Sequence, residues 1–453
     1  AKINFHDEFY QKLKLLVLPI TMQQFMLALV SATDAIMLGA VSQTSLSAVS
    51  LAGQIQFVLN LFISGISAGS GIMAAQYWGK KDAASIEEVM PIALRTNLIF
   101  SGAFTVFAAV APEVLMRIFT SDPALIESGA VYLRAVSLSY LLCGISQIYL
   151  ILLKNTGYAT VSSRISCTAV VVNIICNAIL IYGLLGLPAL GIQGAAYATV
   201  AARLVELIWS YLETKQSGRV QIIWKKMFRA ADAVLTKDFW RYTTPVLGAA
   251  LVWGIAYVSY SVIMGHMGSD AVAANSITTI AKNMLSCLIR GVSGGAGVLI
   301  GNLLGAGELD KAKVYGGRLT RMAIVVGMTT GGLLMLISPL IVRFAPLSET
   351  AAEYLQYMLI FCGCNIMAQS VNTTVLDGIF CAGGDSKFDM KGNLGAMWCF
   401  SVPFGFFAAF VLKWPVMVVY CIVNLDEIVK IPAVYLHYKK YIWVRNITVQ
   451  EEA

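Results

Sequence analysis

The amino-acid sequence predicts an all-α integral membrane protein with twelve transmembrane helices, arranged as two six-helix lobes related by a pseudo-twofold axis. Three observations lead there. The chain is 58% hydrophobic and only 13% charged, where an average soluble protein carries roughly 25% charged residues. Its apolar residues gather into twelve windows, each close to the ~20 residues that a helix needs to cross a bilayer. The second half also repeats the first at a displacement of 226 positions.

The first window, 16 to 40, follows the charged start AKINFHDEFYQKLK. With no small-residue cleavage site after it, this segment reads as an uncleaved first helix, and no targeting segment is expected. The second window, 46 to 76, ends at a glycine stop followed by charged residues, GKKDAASIEE at 79 to 88, which reads as a short loop. Windows 92 to 116, 130 to 153, 165 to 186 and 190 to 212 complete a first lobe, 1 to 212. The most basic polar segment, 213 to 241, links the lobes and contains an amphipathic stretch, Val220 to Phe228. That stretch either rests on an anionic leaflet or serves as a solvated connector. Windows 243 to 265, 271 to 302, 319 to 342, 354 to 380, 394 to 412 and 415 to 436 form the second lobe, 242 to 453, with GAGELDKAK at 305 to 313 closing its second helix.

The repeat pairs Pro19 with Pro245, Gly39 with Gly265, Gly65 with Gly291, Gly69 with Gly295, Gly79 with Gly305, Arg95 with Arg321 and Arg117 with Arg343. Repeats of this length must be settled before a fold is assigned. Six helices precede the second copy, an even number, so both copies enter the membrane in the same sense. This is the parallel-repeat plan, with a cavity expected where the halves meet.

A net charge of +7 reports orientation in a membrane protein rather than affinity for nucleic acid, because cytoplasmic loops collect lysine and arginine. Placing the N-terminus inside puts most of the 32 basic residues on one face, among them Lys80, Lys81, Arg164, Lys225, Lys226, Arg229, Lys439 and Lys440. Both termini are therefore expected in the cytoplasm. The nine cysteines sit in or beside apolar windows without metal-ligand spacing, so they read as small core hydrophobes.

Catalytic motifs find no support. GISAG at 65 to 69 and GVSGG at 291 to 295 fit GxSxG, but that elbow needs a strand-to-helix turn and a nearby base. The three histidines, His6, His266 and His437, fall near helix ends or termini. The same glycines satisfy the small-xxx-small rule for close helix packing. No Walker loop and no HExxH occurs, so an enzyme, a resident metal and a cofactor are not expected.

The charges inside the windows are more telling. SATDAIMLG at 31 to 39 places Asp34 within an otherwise apolar helix, and the repeat sets Tyr260 opposite it. The frame therefore does not need the acid, and intramembrane acids face cavities or partners. A second group comprises Lys282 and Arg290 on the eighth window, Asp377 on the tenth, and Asp426, Glu427 and Lys430 on the twelfth. A link from Lys282 or Arg290 to Asp377 or Glu427 is expected, either as structural pairing or with a role in coupling. Arg203 and Glu206 read as a local pair.

With these features in place, the sequence resembles the multidrug and toxic compound extrusion (MATE) family of transporters. LPITMQQFMLALVSATDAIMLG at 18 to 39, GISAGSGIMAAQYWGKKD at 65 to 82, NIICNAILIYG at 173 to 183, LGIQGAAYATVAARLVEL at 190 to 207 and GVSGGAGVLIGNLLGAGELDKA at 291 to 312 carry the resemblance. It implies two lobes facing each other in a V and export of organic cations or other xenobiotics in exchange for protons or sodium. The family's first-lobe coupling set falls on Asp34, Asn173, Asn177 and Thr199, with Asn177 an amide where many relatives carry aspartate. The acids of the sodium-coupled norfloxacin transporters fall on Trp253 and near Ser370, so the chain looks more like the DinF-like branch.

Burial disfavours the ionised form of an acid, which suits a membrane carboxylate to proton exchange. With one carboxylate rather than two, protons are expected over sodium. The implied protein is a monomer in a bacterial inner membrane, with small cationic or amphipathic substrates and the bilayer as its partners. The alternative within the superfamily is a flippase for lipid-linked oligosaccharides or lipids.

Overall fold

The structure is a computed structural model that describes residues 7–119, 121–230, 232–345 and 347–449, with the side chains of Ala35, Gln43, Ser269 and Val272 left aside. His6 lies outside the described residues. The described chain is helical, without a strand among the described residues. In order, the helices are α1 (Glu8–Val41), α2 (Gln43–Gly79), α3 (Ala83–Val110), α4 (Pro112–Phe119), α5 (Pro123–Asn155), α6 (Ala159–Tyr182) and α7 (Ile192–Thr214). After a 3₁₀ turn at Trp224–Phe228 come α8 (Ala233–Gly265), α9 (Ser269–Gly305) and α10 (Leu309–Phe344). The chain continues with α11 (Glu349–Phe380) and α12 (Lys387–Val411), and then Val416–Val423 and Asp426–Lys439.

Ten of these helices are long and apolar enough to cross a membrane. The two expected windows that fall short do so for visible reasons. Helix α7 carries Arg203 and Glu206 within its span, and the 415 to 436 window is broken at Asn424–Leu425 into two short helices. The window at 92 to 116 is corrected as well. Helix α3 ends at Val110, and Pro112 opens the separate α4, because the residue before proline disfavours the helical conformation and proline suits a first helical position. Helix α8 begins at Ala233, within the stretch expected as linker. Outward side chains are apolar: Leu336 is 80% exposed, Phe344 79% and Ile36 74%, a surface fitted to lipid rather than water.

The described chain forms two compact units. One is Met22–Leu247, and the other joins the residues up to Thr21 with those from Gly248 onward. Both boundaries fall inside helices, α1 and α8, at positions 226 residues apart, the displacement of the sequence repeat. Each unit is closed by the same glycine seam. In the first, a Cβ at Gly65 would lie 2.8 Å from the Leu247 backbone, and one at Gly69 would collide with Thr243. In the second, a Cβ at Gly291 would collide with Thr21, and one at Gly295 would come within 3.0 Å of Val17. The GxSxG stretches are thus close helix crossings of the small-xxx-small kind.

The rest of each unit is packed side chains. Ala52, Ile55, Leu59 and Ile63 of α2 meet Leu133, Val136 and Tyr140 of α5. Met264 and Ile289 meet Leu334, Leu355, Leu359 and Ile366 in the other unit. Among the cysteines, all free, Cys143, Cys287 and Cys362 are buried.

Substituting Gly69→Val is expected to lower thermal stability by about 1–3 kcal/mol, the usual cost of overpacking. Gly102→Ala, in the interior of α3 where a Cβ meets nothing within 4 Å, is expected to leave it unchanged or raise it by up to about 1 kcal/mol. Thermal unfolding in detergent measures both.

Candidate functional site

Helices α1 and α6 run parallel, held at a common offset. Gln23 Nε2 donates to Ser166 Oγ at 3.0 Å, and Asn177 Nδ2 donates to Asp34 Oδ1, each pair 143 residues apart in sequence. Beyond them the Tyr182 hydroxyl donates to the Met37 carbonyl at 2.9 Å. A polar ladder therefore fixes the register of the two helices, and Asp34 is its middle rung.

The sequence explains how the amide reaches it. On α6, Asn173 and Asn177 stand one turn apart on a single face. Both are buried, at 7% and 1% exposed, and the amide oxygen of each is without a hydrogen-bond partner. Around the acid, Leu38, Ile181 and Ala195 form an apolar cluster with Met37, Val49 and Tyr132 packed on it. Tyr132, on α5, is also within electrostatic reach of Asp34. The sequence reading missed it, because a tyrosine in an apolar window carries no distinguishing signal. Thr199 is half-buried, and its hydroxyl donates to Ala195 O of its own helix at 3.1 Å.

No cation pairs with Asp34 among the described residues, and the Asn177 amide supplies its direct polar contact. The contrast with Glu206 in the same unit is informative. Arg203 lies 3.1 Å from Glu206 Oε1, as the local pairing anticipated, and Ser146 donates to the same oxygen at 2.8 Å. Glu206 is a neutralised structural acid, whereas Asp34 is an acid left with an amide. The arrangement can hold a proton on Asp34 or an ionised carboxylate that accepts from the Asn177 amide. No cluster of three or more histidines, cysteines or acids suited to a metal occurs among the described residues.

The second unit has no copy of this site. Tyr260 stands at the position equivalent to Asp34, and its buried hydroxyl has Ser401 and Asp426 as polar neighbours. The corresponding stretch of α12, CFSVPFG at 399–405, carries neither amide nor acid. Trp253 stacks on Tyr257 at 5.5 Å, and Ser370 donates to Ala323 O at 2.7 Å, so neither position offers a carboxylate.

Charges gather elsewhere in that unit. Lys430 Nζ lies 3.8 Å from Glu427 Oε1, and Asn372 Nδ2 donates to Glu427 Oε2 at 2.9 Å and to its carbonyl at 2.6 Å. Asp377, on the π-wound end of α11 at Thr374–Phe380, hydrogen-bonds with Asp389. Lys282 acts on Asp426 and Glu427 through space, while Arg290 is exposed and lies near Cys287. The direct ion-pair partner of Glu427 is thus Lys430, one helical turn away. The sequence reading missed Asn372 and Asp389. Asp389 precedes the apolar window at 394, but α12 already begins at Lys387.

Comparison with known proteins follows the same lines. The MatE family model matches the chain twice, over residues 19–179 and 245–407, starts that are 226 positions apart. An uncharacterized transporter, YisQ, of Bacillus subtilis is 22% identical over 91% of this chain and 90% of its own length. A probable multidrug resistance protein NorM of Bacillus cereus is 24% identical over 90% of each. Among solved structures, a MOP superfamily transporter from Pyrococcus furiosus superposes with a TM-score of 0.86 at 17% identity over 97% of both chains. A MATE protein crystallised in the straight conformation gives the same values.

Removing the amide in Asn177→Leu is expected to destabilise the protein by about 1–3 kcal/mol, since the buried acid loses its partner. Asn177→Asp, which sets two carboxyls against each other, is expected to be less stable at pH 8 than at pH 5.5 relative to wild type. Two ionised carboxylates repel, and a shared proton relieves them. Thermal unfolding at the two pH values reads the difference.

Proposed function

The chain belongs to the MatE family, and from that premise we propose that it is a secondary antiporter exporting organic cations and other xenobiotics in exchange for protons. The observation that carries the reading is Asp34. It is a membrane carboxylate paired with an amide, without a countercation among the described residues, and present in one half of a duplicated frame.

The proposed cycle is a competition between two charges. Protonated, Asp34 sits neutral against Asn177 in an apolar setting. Ionised, it favours water or a cationic substrate, and Asn173 and Asn177 orient it. A ligand shifts a conformational equilibrium only by its differential affinity for the two states. A proton and an organic cation that prefer opposite states therefore drive each other across. Thr199 is assigned a place in the wall of this site.

Protons are preferred over sodium because Asp34 is the one carboxylate of the proposed set, with the Asn177 amide as its direct partner. The absence of acids at Trp253 and Ser370 supports the DinF-like assignment. The charges of the second half, Lys282, Arg290, Asp377 and Glu427 with Lys430, are assigned a structural role. Lys430 and Asn372 hold Glu427, and this ties Asp426–Lys439 to α11. We further propose lobes at 1–212 and 242–453 joined by 213–241, both termini in the cytoplasm, a bacterial inner membrane and a monomer.

The test is efflux of a fluorescent organic cation from proteoliposomes under an imposed proton gradient and, separately, a sodium gradient. Wild type is expected to respond to the proton gradient and Asp34→Asn to lose that response. Transport by Asp34→Asn with unaltered pH dependence would sink the assignment. If neither gradient moves the dye in wild type, a lipid-linked substrate becomes the reading to pursue.

A further inference from the structure

The segment between α7 and α8 carries chemistry that transport does not use. One side of it is fastened to the first unit. Val220, Ile222 and Met227 are buried, Trp224 Nε1 donates to the Tyr149 hydroxyl at 2.7 Å, and Lys226 Nζ pairs with Glu88 Oε1 of α3 at 2.5 Å. The other side is open and apolar: Phe228 is 84% exposed, with Ile223 at 37% and Trp224 at 36%.

Beside Phe228 lies a cavity of about 200 Å³ lined by Glu88, Pro91, Arg95, Lys226, Met227 and Arg229. Its charge is not balanced. Lys226 is matched by Glu88, whereas Arg95 and Arg229 have no ion-pair partner among the described residues. Lys225, exposed beside them, adds to the positive field.

We propose that this cavity binds the phosphate of an anionic phospholipid, with Arg95 and Arg229 on the headgroup and the acyl region passing over Phe228. Guanidinium groups match phosphate oxygens with two parallel hydrogen bonds. Aromatic rings beside basic residues are the usual anchors at the level of the headgroups. A soluble anion would use the arginines but leaves the exposed Phe228 and Ile223 without purpose. A protein partner needs roughly 800 Å² per side for a stable interface, far more than two aromatic rings provide. The lipid alone accounts for the charge and the apolar side chains together.

The inference depends on the chain lying in a membrane, not on which substrate or ion it transports. It is tested on the full-length protein in nanodiscs of phosphatidylcholine, with and without phosphatidylglycerol. Phosphatidylglycerol is expected to raise the Tm of wild type by roughly 3 °C, as a ligand that binds the folded state does. Arg95→Gln/Arg229→Gln is expected to lose most of that rise while matching wild type in phosphatidylcholine. Glycerol phosphate added to phosphatidylcholine nanodiscs should not reproduce the rise. A full rise in the double variant overturns the proposal, and a rise with glycerol phosphate reassigns the cavity to soluble anions and overturns it too. Should the double variant fold poorly, Phe228→Ser provides the second reading. Native mass spectrometry is then expected to count fewer retained phosphatidylglycerol molecules than in wild type, and an equal count overturns the proposal.

Discussion

A carboxylate taken out of water must be matched by a cation, be held by hydrogen bonds, or give up its charge. The protein uses more than one of these answers, and the difference separates frame from function. Glu206 is matched by Arg203 and Glu427 by Lys430, each one turn away on its own helix, and Ser146 and Asn372 tie these acids to neighbouring helices. Asp34 is left with the Asn177 amide as its direct polar contact. The parallel register of α1 and α6, set by Gln23 and Ser166 below and Tyr182 and Met37 above, keeps acid and amide together. The proposed transport depends on that single contact.

Duplication supplies the rest of the construction. The glycine seam at Gly65 and Gly69 recurs at Gly291 and Gly295, each packed against the early part of another helix in its own unit. Because a Cβ cannot be accommodated there, the glycines set how closely those helices approach. Substituted side chains then differentiate the two copies. One carries Asp34 and its asparagines, and the other carries Tyr260 and the apolar run 399–405. A frame built twice and a polar site built once suits the proposed exchange, in which a single site serves two ligands in turn.

Much of this was legible in the sequence, and the failures have physical causes. Hydropathy located the long spans because hydrocarbon tolerates little else, and the repeat located the seams because glycine is required wherever backbones touch. Asp34 stood out as a charge without a duplicate, and the asparagines through family resemblance. Their contact did not stand out, since it depends on the relative rotation of α1 and α6. The break at Ala111–Pro112 was averaged away by window counting. Asp389 was lost for a related reason, since the apolar window starts at 394 whereas α12 begins at Lys387, and Asn372 was lost because a lone amide inside an apolar window carries no sign of its partner on another helix. Tyr132 could not have been singled out, because its meaning lies in its nearness to Asp34.

The most direct test is to count protons released when an organic cation binds to the purified protein in weakly buffered detergent, followed with a pH-indicator dye. For wild type the account predicts acidification approaching one proton per cation bound, and for Asp34→Asn no release. Binding without release in wild type, or equal release from both proteins, would contradict the claim that Asp34 exchanges its proton for the substrate.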